Sequence, residues 1–537
     1  MNDDGTLYDT FLSTSARWGE QAAYAVPPMA GRPYHPDGKQ YSWREVAAGV
    51  AAMRTRYQAA GYGMGHRVAI LFHQRPEFFF HYYALNALGC SVVPINPDYR
   101  VEEIAHLLNH SEACLVLAID TRLADMREAS RAPVVSFDDP PPTLPDARTP
   151  AAAGHPGADT EAALLYTSGT TGRPKGCILT NRYFHTYGRW YLDRGGRLAM
   201  QDGMERMYNP LPLHHANCLS ISAPAMLLTG GCLVFPDRFH PRTWWHDLAV
   251  CDVTAVHMQG IIPNLLLKLP PCAEETAHRV RFGLCAGIEP THHPAFEARF
   301  GFPVVEMWAM SETGRLLTDN HEPRQIETRA FGRPTPGLDA RIVDADDREQ
   351  PVSVPGELVI RHSAAAPRLG FFSGYLKNEA ATEEAWRNGW FHTGDTAVRD
   401  ETGMLYFLDR TKNIIRRAGE NIAAAEVEAC LCTHPQVKQA AVLAVPDDIR
   451  EEEVMACIVL QDPGDASDAL ARTLMAWCTA RMAYFKAPAW FLFVPSLPTG
   501  TSQKVQKITL FPPGTDPRQQ PGVTDLRPMK KPARAMT

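Results

Sequence analysis

Twice along this 537-residue chain, short β-branched or aliphatic runs alternate with segments of helical period. Residues 44–62 carry apolar positions at helical spacing and lead into the glycine-rich stretch GYGMG. The run RVAILF follows, then PEFFFHYYALNALG, a helical pattern that stops at Gly89. Next come SVVPINP as a strand, EEIAHLLNHS as a helix, and CLVLAID and PVVSFDD as strands. The same alternation returns over 221–310, in CLVFPD, DVTAVHMQG, RFGLCAG and PVVEMWAM. Strands that run the same way need a crossover, and a helix is the usual one, so the pattern predicts βαβ units around parallel sheets. Between the two stretches, residues 138–159 are rich in Pro, Ala and Asp and read as a linker.

After about residue 330 the pattern changes to short strands separated by turns, LDARIVD, GELVIRH and GMLYFLDR, which predicts an antiparallel, barrel-like piece. A boundary is expected near 409–413. Beyond it, AAAEVEACLCTHP and ASDALARTLMAWCTARM read as helices, and VKQAAVLAVPD and EVMACIVLQD as strands. The Pro-rich, basic end, 515–537, reads as a disordered tail.

Composition narrows the function classes. Hydrophobic residues make up 45 % and charged residues 21 %, which excludes a disordered, collagen-like or coiled-coil chain. The 53 Lys+Arg stand against 60 Asp+Glu, so the basic surplus of a nucleic-acid binder is missing, and an anionic ligand must be met by placed residues. The 12 cysteines are scattered with no CxxC, which predicts buried free thiols and a reducing, cytoplasmic setting. The start of the chain has early acids and no apolar core of a signal peptide. The longest uncharged run, Cys218–Pro236, holds two prolines and Gly230-Gly231, and reads as soluble core and not as a membrane span.

The most informative segment is Tyr166-Thr167-Ser168-Gly169-Thr170-Thr171-Gly172-Arg173-Pro174-Lys175-Gly176. Glycines permit close approach and positive φ, hydroxyls and backbone N–H groups suit phosphate oxygens, and Lys175 adds charge. It is not a Walker A loop, because Pro174 precedes the lysine and Gly176 follows it.

This loop resembles the signature of the adenylate-forming superfamily, which comprises acyl-CoA synthetases, peptide-synthetase adenylation domains and beetle luciferases. The resemblance spans about residues 10–510. It implies an α/β fold: a large N-terminal domain (1–410) of two βαβ-type subdomains plus a small β-barrel, then a small, mobile α+β C-terminal domain (411–514). It also implies phosphate contacts from Thr167, Ser168, Gly169, Thr170, Thr171, Gly172 and Lys175.

Further motifs follow in family order. Asn209-Pro210-Leu211-Pro212-Leu213-His214-His215 resembles the family's PLxH motif, which implies His215 as a gating ring at the carboxylate pocket. Ala286-Gly287-Ile288 is similar to the loop that packs against adenine. Glu306-Met307-Trp308-Ala309-Met310-Ser311-Glu312 resembles YGxTE with Trp308 for Tyr and Ala309 for Gly. Adenine stacking on Trp308, an α-phosphate contact from Ser311 and Mg²⁺ on Glu312, with Thr167 beside it, are implied. Met258, Gln259 and Gly260 join His215 and Trp308 as implied acid-pocket residues, a polar and aromatic mix that suits a small or aromatic acid.

Asn388–Asp395 matches GWFxTGD, implying Asp395 on the ribose hydroxyls. Leu408–Asn413 looks like the hinge motif, with Arg410 at ribose or phosphate and Lys412 as the pivot. Arg416, Arg417 and Gly419 fall where the family builds its thiolation face and pantetheine tunnel. Lys504 is similar to the adenylation lysine, although Gln503 stands where Gly is usual, and Lys507 is a second candidate. The stretches LYFLDRTKNIIRRAGENI and AVPDDIREEEVMACIVL are most similar to carnitine/crotonobetaine-type CoA ligases.

The resemblance therefore implies an AMP-forming acyl-CoA ligase. A carboxylate attacks the α-phosphate of ATP and releases pyrophosphate, and the thiol of CoA then takes the acyl group. Expected partners are a small carboxylic acid, ATP, Mg²⁺ and CoA, with no nucleic acid and no membrane span; monomer and homodimer stay open. Two alternatives stay open as well. One is an adenylating enzyme that loads a carrier protein or activates another nucleophile or oxyanion such as nitrite. The other is a nucleotide-binding pseudoenzyme.

Overall fold

The computed structural model describes residues 5–167, 174–410, 414–498, 507, 510–512 and 514–530. The chain divides into two compact units. The first comprises Met1–Pro97, Leu108–Leu165 and Gly176–Asp409. The second comprises Arg410–Thr537 together with Asp98–Leu107 and Tyr166–Lys175, two segments that the sequence reading places in the N-terminal domain.

Two sheets carry the alternation seen in the sequence. One has seven strands, with Val134–Ser136, Leu115–Ala118, Arg67–Leu71, Ser91–Ile95 and Glu161–Thr167 side by side, then Lys175–Thr180 and Gly374–Tyr375. The other has eight, of which six run parallel: Val304–Ala309, Phe282–Ala286, Ala255–Gln259, Arg206–Tyr208, Cys232–Val234 and Ala22–Val26. Leu316–Thr318 and Lys39–Ser42 close its edges antiparallel. The helices obey local rules. Thr6 and Ser42 each form a capping box, with Asp9 and Glu45, at the starts of Leu7–Trp18 and Trp43–Ala59.

The helices Trp244–Val250, Ile261–Lys268 and His293–Phe300 contribute Trp244, Trp245, Ile262, Phe296 and Phe300 to one apolar core against the eight-stranded sheet. Each such ring or aliphatic chain contributes about 1.5–3 kcal/mol on burial. The uncharged run Cys218–Pro236 lies in this unit as a π-helical turn, Asn217–Ser222, continued by the helix Ala223–Thr229. Gly230 ends it at φ +68°, and a Cβ there would sit 2.1 Å from the Trp18 ring, so no other residue fits. No helix among the described residues is long and apolar enough to cross a membrane. The barrel-like piece is a five-stranded antiparallel sheet that includes Gly356–Arg361, Phe391–Arg399 and Leu405–Arg410.

All the cysteines are free thiols, but Cys272 and Cys432 are exposed, so burial holds for most of them and not for all.

In the second unit, Glu451–Leu460 is the central strand, with Val437–Asp447 antiparallel and Trp490–Phe493 parallel to it. The helices Ala424–Cys432 and Asp468–Arg481 bury Val427, Leu431, Leu470 and Leu474 with this sheet. The segment read as a loose tail behaves differently over 514–530. Thr524–Asp525 pairs with Trp490–Phe493 and covers that sheet edge, and Leu526 joins the core. The Lys530 ammonium reaches the buried Glu453, which also accepts from the Arg417 guanidinium at 2.8 Å. Proline and lysine content is blind to such partners. Leu526→Ala is therefore expected to destabilise this unit by about 2–4 kcal/mol, read as a lowered denaturant midpoint at unchanged slope. A loose tail would give no shift.

Candidate functional site

Register along the eight-stranded sheet brings three strand ends together. Gln259 pairs with Ala286, and Cys285 pairs with Glu306. The Gly260 amide donates to the Ala286 carbonyl at 3.0 Å. Gln259-Gly260, Ala286-Gly287-Ile288 and the turn after Ala309 thus leave the sheet at the same carboxyl edge. Open α/β sheets bind ligands at that edge.

The strand Val304–Ala309 turns Glu306 and Trp308 to one face, because side chains alternate with a period of two. The Glu306 carboxylate accepts from the Gly287 amide at 2.7 Å and from the Ile288 amide at 3.0 Å. Gly287 sits at φ +77°, which a side chain resists. One carboxylate therefore fixes the whole small-residue loop. Glu306 was quoted in the sequence motif without a role, because its partners lie on another strand. Glu306→Ala is expected to free the loop and raise the KM for ATP about tenfold with little change in kcat, since a charge-assisted hydrogen bond contributes about 1.5–3 kcal/mol. An unchanged KM in steady-state kinetics would remove the loop from the nucleotide site.

The indole edge of Trp308 is engaged: Nε1 donates to Asp395 Oδ2 at 2.8 Å. Asp395 is 1 % exposed, on the strand Phe391–Arg399, with its amide donating to Thr393 Oγ1 at 3.1 Å. Its neighbour Gly394 donates its amide to Glu357 at 2.8 Å.

The turn 310–313 is clamped by the helix Asn181–Leu192. Positions 183, 187 and 190 share a face at spacings of four and three. Tyr183 Oη donates to the Ser311 carbonyl at 2.7 Å, Tyr187 Oη to the Met310 carbonyl at 3.4 Å, and Trp190 Nε1 to the Leu316 carbonyl at 2.6 Å. Glu312 is 6 % exposed and accepts from Tyr375 Oη at 2.9 Å. Burial, then the Glu312 charge, push the Tyr375 hydroxyl far above its ordinary pKa, so it keeps its proton and donates it to Glu312.

His215 lies in a turn, its amide donating to the Pro212 carbonyl at 3.0 Å, with the His214 ring 4.5 Å from its own. A buried polar network continues from the PLxH-like segment. Asn209 Nδ2 donates to Asn217 at 3.0 Å and to Ser222 Oγ at 2.7 Å, and Ser222 meets His257 Nδ1 at 2.7 Å. His257 Nε2 meets Tyr191 Oη at 2.8 Å. Burial alone pulls the His257 imidazolium down to about 3, so the ring is neutral and holds one donor and one acceptor. A histidine on a strand beside Met258 carries no sequence signal for this role.

Met258, read from the sequence as an acid-pocket residue, is 0 % exposed and packs with Val256 in the apolar core. Alternation along Ala255–Gln259 turns it away from the face that carries His257 and Gln259. Gln259 Oε1 is buried with no hydrogen-bond partner among the described residues.

Thr167 ends one strand and Lys175 begins the next, at the two ends of the loop. Ser168, Gly169, Thr170, Thr171 and Gly172, like Lys412 and Lys504, lie outside the described residues, as does the side chain of Arg410. In the second unit Arg416 sits on the strand Ile414–Arg417, and Gly419 makes the following turn at φ +89°. Arg417 is buried on Glu453, which removes it from the residues open to a CoA phosphate. Lys507 pairs with Glu428 at 2.6 Å.

The chain is similar to known proteins along most of its length. The family model described as AMP-binding enzyme matches residues 14–376, and its C-terminal domain model matches 426–504. A sulfoacetate–CoA ligase from Cupriavidus necator is 33 % identical over 519 residues, covering 94 % of this chain and 97 % of that one. A crotonobetaine/carnitine–CoA ligase from Proteus mirabilis is 28 % identical, covering 87 % and 92 %. Among solved structures, o-succinylbenzoate CoA synthetase from Bacillus subtilis superposes with a TM-score of 0.81 at 24 % identity, covering 94 % and 98 %. The amide bond synthetase McbA from Marinactinospora thermotolerans gives 0.78 at 24 % identity, also covering 94 % and 98 %. On the matched length and on the relatives that share it, the chain belongs to the AMP-binding enzyme family.

Proposed function

We propose that this protein is an AMP-forming acyl-CoA ligase that activates a small carboxylic acid. The observation that carries the reading is the shared edge where Glu306 fixes the 286–288 loop, Trp308 meets a buried Asp395, and Glu312 stands on a clamped turn. This arrangement fits a nucleoside: a small-residue loop for the base, an aromatic face, and a carboxylate acceptor for ribose hydroxyls. Glu312, a hard oxygen donor held by Tyr375, fits Mg²⁺. Relatives named for sulfoacetate and for crotonobetaine/carnitine support a small acid.

The chain's task in the first step is positioning and charge neutralisation, because a carboxylate is already ionised and needs no general base. Mg²⁺, when bound, supplies positive charge beside the phosphoryl oxygens. Ser311, whose backbone carbonyl is held by Tyr183, is the residue assigned to an α-phosphate oxygen. His215 and Gln259 are assigned to the acid side, where the unpaired Gln259 Oε1 can accept from a donor on the substrate. Thr167, Lys175 and the loop between them meet the outer phosphates, and Lys504 meets the charge that develops at the reacting oxygens. In the second step Arg416 and the Gly419 turn belong to the face that receives CoA.

A pyrophosphate-release screen over small acids, run with and without CoA, tests the proposal. The expected result is an acid-dependent signal with AMP and acyl-CoA formed in equal amounts when CoA is present. Acid-dependent pyrophosphate with no acyl-CoA would replace CoA by another acceptor. No release with any acid would support the pseudoenzyme reading.

A further inference from the structure

The match to the family's C-terminal domain ends at residue 504, so it gives no role to residues 524–530. Leu526 alone would anchor that segment by apolar contact, yet two cations beside it are spent on two acids of the same unit. Lys530, itself buried, donates to the buried Glu453. Arg527 Nη1 donates to Asp447 Oδ2 at 3.2 Å, with its guanidinium 4.4 Å from the Trp490 ring centre. Burial, then the Arg417 charge, pull the Lys530 ammonium down to about 7, and the amine donates to Glu453 with or without its extra proton.

Both acids support one turn. Ala418 and Gly419 take φ of +49° and +89°, and an alanine resists that conformation. Such backbone persists only where its surroundings over-determine it. Arg417, just before the turn, donates from Nε to Glu453 Oε2 at 2.8 Å. The Ala418 amide donates to the Arg450 carbonyl at 3.0 Å. Arg450 is itself fixed by Asp447, whose Oδ1 accepts from the Ile449 and Arg450 amides at 3.0 and 2.9 Å. Glu453 thus holds the side chain that leads into the turn, and Asp447 sets the carbonyl that receives the turn's own amide. Lys530 grips the first acid and Arg527 the second.

We propose that residues 524–530 form a strap that sets the 416–419 turn for acyl transfer to CoA, with Lys530 as its main positioning residue and Arg527 as its second hold. The proposal rests on the reading of this turn as part of the face that receives CoA. It extends that reading to a segment beyond the family match. The consequence is a split between the half-reactions. Without Lys530, the buried Glu453 carboxylate loses a donor and re-pairs, and Arg417 and the turn after it shift with it. The strap's partners, Glu453, Asp447 and Trp490, are not residues assigned to adenylation, so that step is spared.

The test measures both half-reactions on the same preparations of full-length wild type, Lys530→Met, Arg527→Gln and Leu474→Ala. One assay is ATP–pyrophosphate exchange with the acid singled out by the pyrophosphate screen. The other is acyl-CoA formation from that acid's synthetic acyl adenylate and CoA. Their ratio within one preparation is independent of the folded fraction, and Leu474→Ala, in the core of the second unit, shows what general destabilisation does. Lys530→Met is expected to lower kcat/KM for CoA about tenfold with exchange within about twofold of wild type, the size of one hydrogen bond to a charged group. Arg527→Gln is expected to move the ratio the same way by about threefold, because its ion pair is more exposed. Leu474→Ala is expected to keep the wild-type ratio. A wild-type ratio in Lys530→Met, whether both activities fall or neither does, would overturn the strap and keep the CoA reading. An equal shift in Leu474→Ala and Lys530→Met would overturn it as well. Exchange without any acyl-CoA from wild type would overturn the CoA reading itself and the strap's role with it.

Discussion

Lys504→Ala is expected to lower carboxylate-dependent ATP–pyrophosphate exchange by about 10²–10³-fold, while thioester formation from supplied acyl adenylate and CoA stays near wild type. The magnitude is that of removing one well-placed charge from a developing transition state. The asymmetry follows from the chemistry. Negative charge gathers around the α-phosphorus in the first step. In the second, a thiol attacks a carbonyl and AMP departs already formed. A lysine that served only the fold would depress both steps together. If exchange survives and Lys507→Ala abolishes it, the lysine assignment passes to Lys507, which must then leave Glu428 to act.

Glu312→Gln is expected to have the second large effect, a loss of about 10² in kcat/KM for adenylation, with a steeper dependence on Mg²⁺ concentration than wild type. The substitution keeps volume and keeps an acceptor for Tyr375, so the clamped turn survives. Only the charge is removed. Titration of activity against Mg²⁺ separates the cases: a curve shifted to higher metal supports a ligand at this position, and a uniformly scaled curve with the same midpoint argues for a structural role.

Much of the fold was readable from strand and helix periods, because a parallel sheet repeats one local pattern many times. The loop from Thr167 to Lys175 was read as a phosphate cradle for a different reason, its glycines, hydroxyls and lysine at close spacing, and its residues 168–173 lie outside the described residues. What sequence reading missed are pairings between distant strands. Glu306 looked like an ordinary acid until the neighbouring strand brought Gly287 and Ile288 to it. His257 gave no sign of the Tyr191, Ser222 and Asn209 network, since each partner comes from a separate element. Met258 stood beside Gln259 and Gly260 and was counted with them, yet the period of two sends its side chain into the core. The segment before residue 531 was judged by its prolines and bases, while its docking depends on Leu526 and Lys530 finding partners in the second unit.

Adenylation of this kind transfers the acid's oxygen directly to the α-phosphorus, and isotope transfer tests that step most directly. The acid singled out by the pyrophosphate screen is labelled with ¹⁸O in its carboxylate, and the products are read by mass spectrometry after turnover with ATP and CoA. One labelled oxygen in AMP and none in pyrophosphate is the result the mechanism requires. Label in inorganic phosphate with ADP as co-product, or unlabelled AMP, would contradict it.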